Sequence, residues 1–282
     1  PDWNWEVPPQ TLLTNYADYF QAYSALPVAL QPDEFGGGIY IVYRVKDQGG
    51  TSEVSYSYVD ASGNVLASQG MGEIGYYCDA EVDQQTGDIF ATWHVEIPDT
   101  PETVDCLVTY DLYHIMQSHG LWKDPVILVV DSSIPPIPDP TDNDEFIWPE
   151  LAIGPSPTAG KQRVYMVATN NLASDGIETL PSENPIICWA DFDVNDLANQ
   201  SDLEWNYRTI ATMDSWNAED PLWYRAFKSW TVIDNKMIFA GYRLTNIDGD
   251  PSELFCFVNE NYGEGEFVEY YEELQIPEDS PT

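Results

Sequence analysis

Four times along the chain a short apolar run is followed by a polar loop and then by a second apolar run. The first runs are Ile39–Arg44, Ile89–His94, Val164–Thr169 and Met237–Tyr242. Their partners are Val54–Val59, Cys106–Asp111, Ile187–Phe192 and Phe255–Asn259. A recurrence at roughly 50 to 75 residues marks a repeated supersecondary unit, and the fold must be assembled from copies of it.

Each unit extends on both sides. Ahead of the first run stand Tyr77–Asp83, Trp148–Gly154 and Trp230–Ile233, each followed by turn residues such as Thr86-Gly87-Asp88 or Asp234-Asn235. After the partner come Val65–Ser68, Val126–Val130, Tyr207–Ala211 and Phe267–Tyr271. Short apolar runs separated by turn residues are hairpin signals. Four antiparallel strands repeated radially are the blades of an all-β fold of the β-propeller type. Because a blade is sandwiched between neighbours, both faces are apolar and its inner strands read as continuous rather than alternating hydrophobic runs.

The expectation is a single propeller domain over residues 1–282, with blades at about 23–70, 71–131, 146–213 and 222–273. Residues 1–22, with the Trp3 and Trp5 pair, form an N-terminal extension, and 274–282 an acidic tail. Four visible blades fit a four- or five-bladed ring or part of a larger one. The proline-rich Asp131–Glu145 reads as a crossover, Asn170–Pro185 as a long polar loop, and Leu112–Gly120 and Val194–Leu203 as short helical turns.

The chain carries 48 acidic residues against ten Lys and Arg, a formal charge of −38. Such a field repels phosphate backbones and anionic membrane surfaces, which excludes nucleic acid as a partner. Neutral ligands such as glycans, cationic proteins and divalent cations remain open. No stretch approaches the roughly 20 apolar residues of a membrane span, so no membrane insertion is expected. The chain begins at Pro1 without a signal-peptide pattern, and removal of an export signal is the expectation, which places it outside the cell or on its surface.

Three of the four cysteines, Cys106, Cys188 and Cys256, fall in the second strands of successive units, where disulfide partners are out of reach. They and Cys78 are expected as buried thiols, with Cys78–Cys106 the one pair within a unit.

Nothing in the sequence calls for a cofactor. Asp191-x-Asp193-x-Asn195 followed by Asp202 imitates the spacing of a calcium loop, with Asp196 where the sharp turn wants glycine, and admits calcium there. The acidic loops Asn246–Asp250 and Asp139–Glu145 offer similar chemistry. His94, His114 and His119 have no metal spacing, and no phosphate loop, G-x-S-x-G or H-E-x-x-H motif occurs.

The candidate ligand site is aromatic and acidic. Tyr77, Trp148 and Trp223 precede the first runs at similar offsets, with Asp79, Glu150 and Arg225 two residues later. At the entry to innermost strands, such pairs suit sugar stacking and hydroxyl hydrogen bonds at a channel mouth.

The units resemble the BNR or sialidase-like propeller repeats of secreted and cell-surface bacterial proteins. The likeness rests on aromatic-Pro-acid-apolar, turn, Val-Tyr-x-Val, polar loop and apolar strand, as in Trp148 to Val167 followed by Ile187 to Asp191. It covers about residues 23–272. It implies the propeller fold but no catalytic residue, since the Ser-x-Asp-x-Gly-x-x-Trp boxes are missing and Arg44, Arg163, Arg208, Arg225 and Arg243 occupy unlike repeat positions. The first functional expectation is therefore a non-catalytic extracellular module that binds a glycan or protein partner. The alternatives are a glycoside hydrolase or lyase using carboxylates at the channel mouth, and a self-associating subunit of a surface layer or filament.

Overall fold

The computed structural model describes residues 19–21, 28–46, 52–71, 75–97, 103–111, 122, 126–128, 146–170, 184–195, 203–209, 222–225, 230–245 and 253–273. The crossover at 131–145, the 246–250 loop, His114, His119 and Asp202 lie outside them. Strands account for most of the described residues, and they form four antiparallel sheets.

The first sheet orders β1 (Tyr19–Gln21), β3 (Ile39–Lys46), β4 (Ser52–Val59) and β5 (Val65–Gly70), with β2 (Val28–Leu30) also paired to β3. The second is β6 (Tyr76–Val82), β7 (Ile89–Ile97), β8 (Thr103–Asp111) and β9 (Val126–Leu128). The third is β10 (Phe146–Pro155), β11 (Lys161–Asn170), β12 (Asn184–Asp193) and β13 (Asn206–Thr209). The fourth orders β14 (Leu222–Arg225), β16 (Lys236–Thr245), β17 (Glu253–Asn259) and β18 (Val268–Glu273), with β15 (Trp230–Ile233) on β16 beside β14. Each sheet is an up-and-down meander in chain order, the blade pattern that the repeat predicts. The strand at Tyr19–Gln21 pairs with Arg44–Lys46, so part of the N-terminal stretch is a strand of the first sheet.

The chain divides into two compact units, Pro1–Val95 with Leu107–Ile127, and Glu96–Cys106 with Leu128–Thr282. In the first unit, Tyr40, Val42, Val54, Tyr56 and Tyr58 of the first sheet form one core with Cys78, Ala80, Val82, Ile89, Ala91 and Trp93 of the second. In the second unit, Tyr165, Val167 and Ile187 of the third sheet pack with Met237, Phe239 and Phe257 of the fourth. The five successive residues Val164–Ala168 are all buried, so both faces of β11 are covered. This is the physical reason for the unbroken apolar run.

The β6–β7 turn shows how local chemistry supports the packing. Asp83 Oδ1 accepts from the Gln85 amide at 2.9 Å, and the Thr86 hydroxyl lies 2.9 Å from Asp83 Oδ2 and 3.0 Å from Asp88 Oδ2. Gly87 takes φ +76°, and its carbonyl accepts from Gln31 Nε2 at 3.0 Å. A Cβ at that position would stand 2.6 Å from Phe35 Cβ, so the position needs glycine both for the left-handed backbone and for the close approach.

Cys188 and Cys256 are free thiols, the first buried and the second half-buried. Burial, with the nearby charge of Asp79 adding to it and that of Arg44 opposing, pushes the Cys78 thiol up to about 12. Burial alone does the same at Cys188.

Candidate functional site

The first strands of the second and third sheets are each interrupted at the same register position. In the second sheet Tyr76 is paired to His94 and Asp79 to Thr92, which leaves Tyr77 and Cys78 opposite Trp93 alone. In the third, Ile147 is paired to Thr169 and Glu150 to Val167, leaving Trp148 and Pro149 opposite Ala168. Two residues facing one define a β-bulge, which bends the strand and re-aims the side chains beside it. Tyr77 meets the demand by taking φ +51°, a conformation costly for an aromatic residue. The third sheet has Pro149 there instead, on β10, the edge strand of its sheet, where proline is tolerated at edges and bulges.

The first residue restored to register after each bulge is an acid. Asp79 is 0% exposed and Glu150 is 3% exposed. Their partners, Thr92 and Val167, are each the fourth residue of the repeated first run, so the two carboxylates occupy equivalent positions in their own sheets. A buried carboxylate is costly unless its oxygens are satisfied. Glu150 meets part of that need through Oε2, which accepts from the indole Nε1–H of Trp230 at 2.9 Å. Asp79 lies close enough to Cys78 for its charge to raise that thiol, and Arg44 acts on the same thiol in the opposite sense.

In the first sheet Gln21 is paired to Arg44 and Val28 to Ile41. In the fourth, Arg225 is paired to Tyr242 and Trp230 to Phe239. This corrects the offset drawn for Trp223 and Arg225. By register Arg225 matches Tyr76 and Ile147, before the interruption, and not Asp79 and Glu150, which follow it. Tyr77 and Trp148 are equivalent, both inside a bulge; the side chains of Trp148, Trp223 and Arg225 lie outside the described residues.

Of the calcium spacing, Asp191, Asp193 and Asn195 are described and Asp202 is not. Asp191 is taken up by Arg163, directly opposite on β11, with Nε to Oδ1 at 2.6 Å and Nη2 to Oδ2 at 2.9 Å. Asp193 Oδ1 caps the Asn195 amide at 2.8 Å. Among the described residues no group of three or more His, Cys, Asp or Glu is placed to hold a metal ion. Arg163 is the polar centre that the sequence did not single out. Its side chain is 2% exposed, and it reaches the β17–β18 turn through Tyr262 O at 2.8 Å and Glu264 Oε1 at 2.8 Å. Its guanidinium lies 5.7 Å from the Trp189 ring and 6.0 Å from that of Tyr165. Burial pulls its pKa down, but the hydrogen bonds to Asp191 and Glu264 outweigh this and raise it.

No protein-family model matches the chain, and neither does any curated protein. Among solved structures the chain is similar to a neuraminidase-like protein of subtype N10 from A/little yellow-shouldered bat/Guatemala/060/2010, at 9% identity and a TM-score of 0.45, over 90% of this chain and 58% of that one. It is similar to a thermostable family-43 glycoside hydrolase at 13% identity and TM-score 0.43, over 91% of this chain and 72% of that one. A levansucrase mutant from B. megaterium aligns at 10% identity and TM-score 0.48, over 93% of this chain and 75% of that one. The chain thus spans a little over half the length of the neuraminidase-like protein. These are propeller-type folds, and the likeness to sialidase-like propeller modules belongs to the fold.

The expectation of a non-catalytic binding or assembly module is corrected. It rested on missing catalytic motifs, whereas solved structures similar to the chain include glycoside hydrolases and a levansucrase. Among the described residues no helix is long and apolar enough to cross a membrane.

Proposed function

We propose that the chain is a glycoside-hydrolase-type enzyme that uses the carboxyl chemistry of Glu150 in the second unit, Asp79 being the equivalent acid of the first. The observation that supports this is the repeated device: a bulge in the innermost strand, followed at once by a buried acid in the same register position. Bulges that re-aim a side chain are enriched beside active sites, and backbone strain such as that at Tyr77 is tolerated where function requires it. Glycoside hydrolysis needs one carboxyl group to protonate the leaving oxygen and another to attack the sugar or activate water. Asp79 and Glu150 are each a buried carboxyl group of the type this chemistry uses.

The charge of −38 narrows the substrate. An acidic surface repels uronates, sialic acids and sulfated chains, and it leaves neutral glycans as the class to expect. The same surface suits a protein working outside the cell, where neutral polysaccharides are met.

The test is turnover of a panel of neutral polysaccharides and 4-nitrophenyl glycosides by the wild type, Asp79→Asn and Glu150→Gln. Loss of an acid–base group costs about 10²- to 10⁴-fold. Wild-type turnover with losses of that size in both variants supports the reading. No turnover on any substrate, or unchanged turnover in both variants, overturns it.

A further inference from the structure

We infer that residues 260–267, between β17 and β18, form a strap that closes over the third sheet and opens as one unit while the sheets stay folded; this does not depend on the hydrolase reading. The strap is shaped from within by Asn259, which is 1% exposed. Asn259 Nδ2 donates to the carbonyls of Glu264 at 2.7 Å and Glu266 at 3.0 Å. Its Oδ1 accepts from the amides of Asn261 at 2.8 Å and Gly263 at 2.9 Å. A carboxamide has two N–H donors and two acceptor lone pairs, so its whole capacity is spent inside the strap. The Glu264 amide adds a bond to the Asn261 carbonyl at 2.8 Å. Tyr262, Gly263 and Gly265 take φ of +56°, +78° and +77°, which folds the segment back on itself.

Arg163 on β11 is the latch. Its Nη1 donates to the Tyr262 carbonyl and its Nη2 meets Glu264 Oε1, both at 2.8 Å. On the fourth sheet's own side, the Tyr262 amide donates to the Asn235 carbonyl at 2.8 Å. Between these attachments the backbone of Gly263 lies on the core, where a Cβ would stand 3.2 Å from Ile187 Cδ1 and 3.3 Å from Tyr165 Cε1. The outer side meets water: Asn261, Gly265 and Glu266 are exposed, and the Glu264 side chain is 41% exposed. Asn259 ties the parts together, because it holds the Gly263 amide with one atom and the Glu264 carbonyl with the other. Tyr262 and Glu264 therefore leave Arg163 together. A segment with its own hydrogen-bond network, a wet outer face and a latch made by one side chain has the attributes of a unit that opens below the cost of global unfolding.

Amide hydrogen exchange of the ¹⁵N-labelled full chain in low concentrations of urea tests this. The strap is read at Asn261, Tyr262, Gly263 and Glu264, and the sheet at Met166 and Val167 of β11, a strand paired on both sides. The four strap amides are expected to share one protection factor, at least about tenfold below that of the β11 amides and insensitive to urea, while β11 protection falls as urea rises. Glu264→Ala removes one arm of the latch and should lower all four strap protection factors equally, by about tenfold. Phe239→Leu loosens the core between the sheets, which stays packed when the strap opens, so it should lower β11 protection by about tenfold and leave the strap amides in place. Asn259→Asp turns an oxygen toward the Glu264 and Glu266 carbonyls and should abolish protection of the four together; if that variant does not fold, Glu264→Ala and Phe239→Leu still decide. Unlike protection factors among the four overturn the inference. So does strap protection that falls with urea in step with β11, or that is unmoved in Glu264→Ala.

Discussion

Replacing Arg163 by methionine is the most demanding test of how the second unit is held together. The substitution keeps a long apolar stem but deletes two bonds to Asp191, one to Glu264 and one to the Tyr262 carbonyl. Breaking a buried ion pair by removing one partner costs about 3–5 kcal/mol, because the other charge is stranded. Here Asp191 is 25% exposed and Glu264 41% exposed, so water takes over part of their solvation. The expected loss is therefore at the lower end, about 3 kcal/mol. At about 2–4 °C per kcal/mol for a protein of this size, the melting transition of the second unit falls by roughly 6–12 °C. Arg163→Lys recovers only part, since an ammonium cannot meet the bidentate geometry or stack on Trp189. Urea unfolding followed by tryptophan fluorescence gives the free energies, and an Arg163–Asp191 double-mutant cycle isolates the pair. A loss below about 1 kcal/mol for Arg163→Met would place the pair among weak surface bridges and refute the reasoning.

Other consequences are narrower. Gly87→Ala forces a side chain into the left-handed region and against Phe35, and should destabilise the first unit by about 2–3 kcal/mol in the same urea assay. Cys78 and Cys188, pushed up to about 12, hold on the order of 10⁻⁴ of their sulfur as thiolate at pH 8. Maleimide labelling read by peptide mass spectrometry should leave both untouched in the native protein, with Cys256 reacting before them. Asp60 is held below its ordinary 3.8, chiefly by the Asn64 side chain and then by the Asn64 amide. A carboxyl lowered in the folded state stabilises above its unfolded pKa, and that stabilisation is lost as pH falls through the folded value. The difference in melting temperature between wild type and Asp60→Ala should thus be constant from pH 7 to about 5 and close as pH drops below 3.8.

The strands were legible because burial on both faces leaves a plain mark. Val164–Ala168 and Ile89–Trp93 are apolar almost throughout, and turn residues such as Thr86-Gly87-Asp88 delimit them. Asp79 and Glu150 were legible as an aromatic-acid offset. The bulge that makes them equivalent was not, although Pro149 within an apolar run was a signal for it. Counting offsets failed for Trp223 and Arg225, because Arg225 is paired to Tyr242 and Trp230 to Phe239, so sequence distance does not track register there. The ion pair of Asp191 was hidden for a similar reason. Its partner Arg163 lies 28 residues away across the strand pair, and spacing along one strand says nothing of what stands opposite on the next.

The central claim is that a bulge followed by a buried acid marks carboxyl chemistry on glycans. The direct measurement is the rate of reducing-sugar release from neutral polysaccharides by the wild type and by Glu150→Gln, with circular dichroism showing both folded. The account predicts turnover by the wild type and a loss of at least about 10²-fold in the variant. Equal rates in the two proteins, or none from the wild type across the panel, would contradict it.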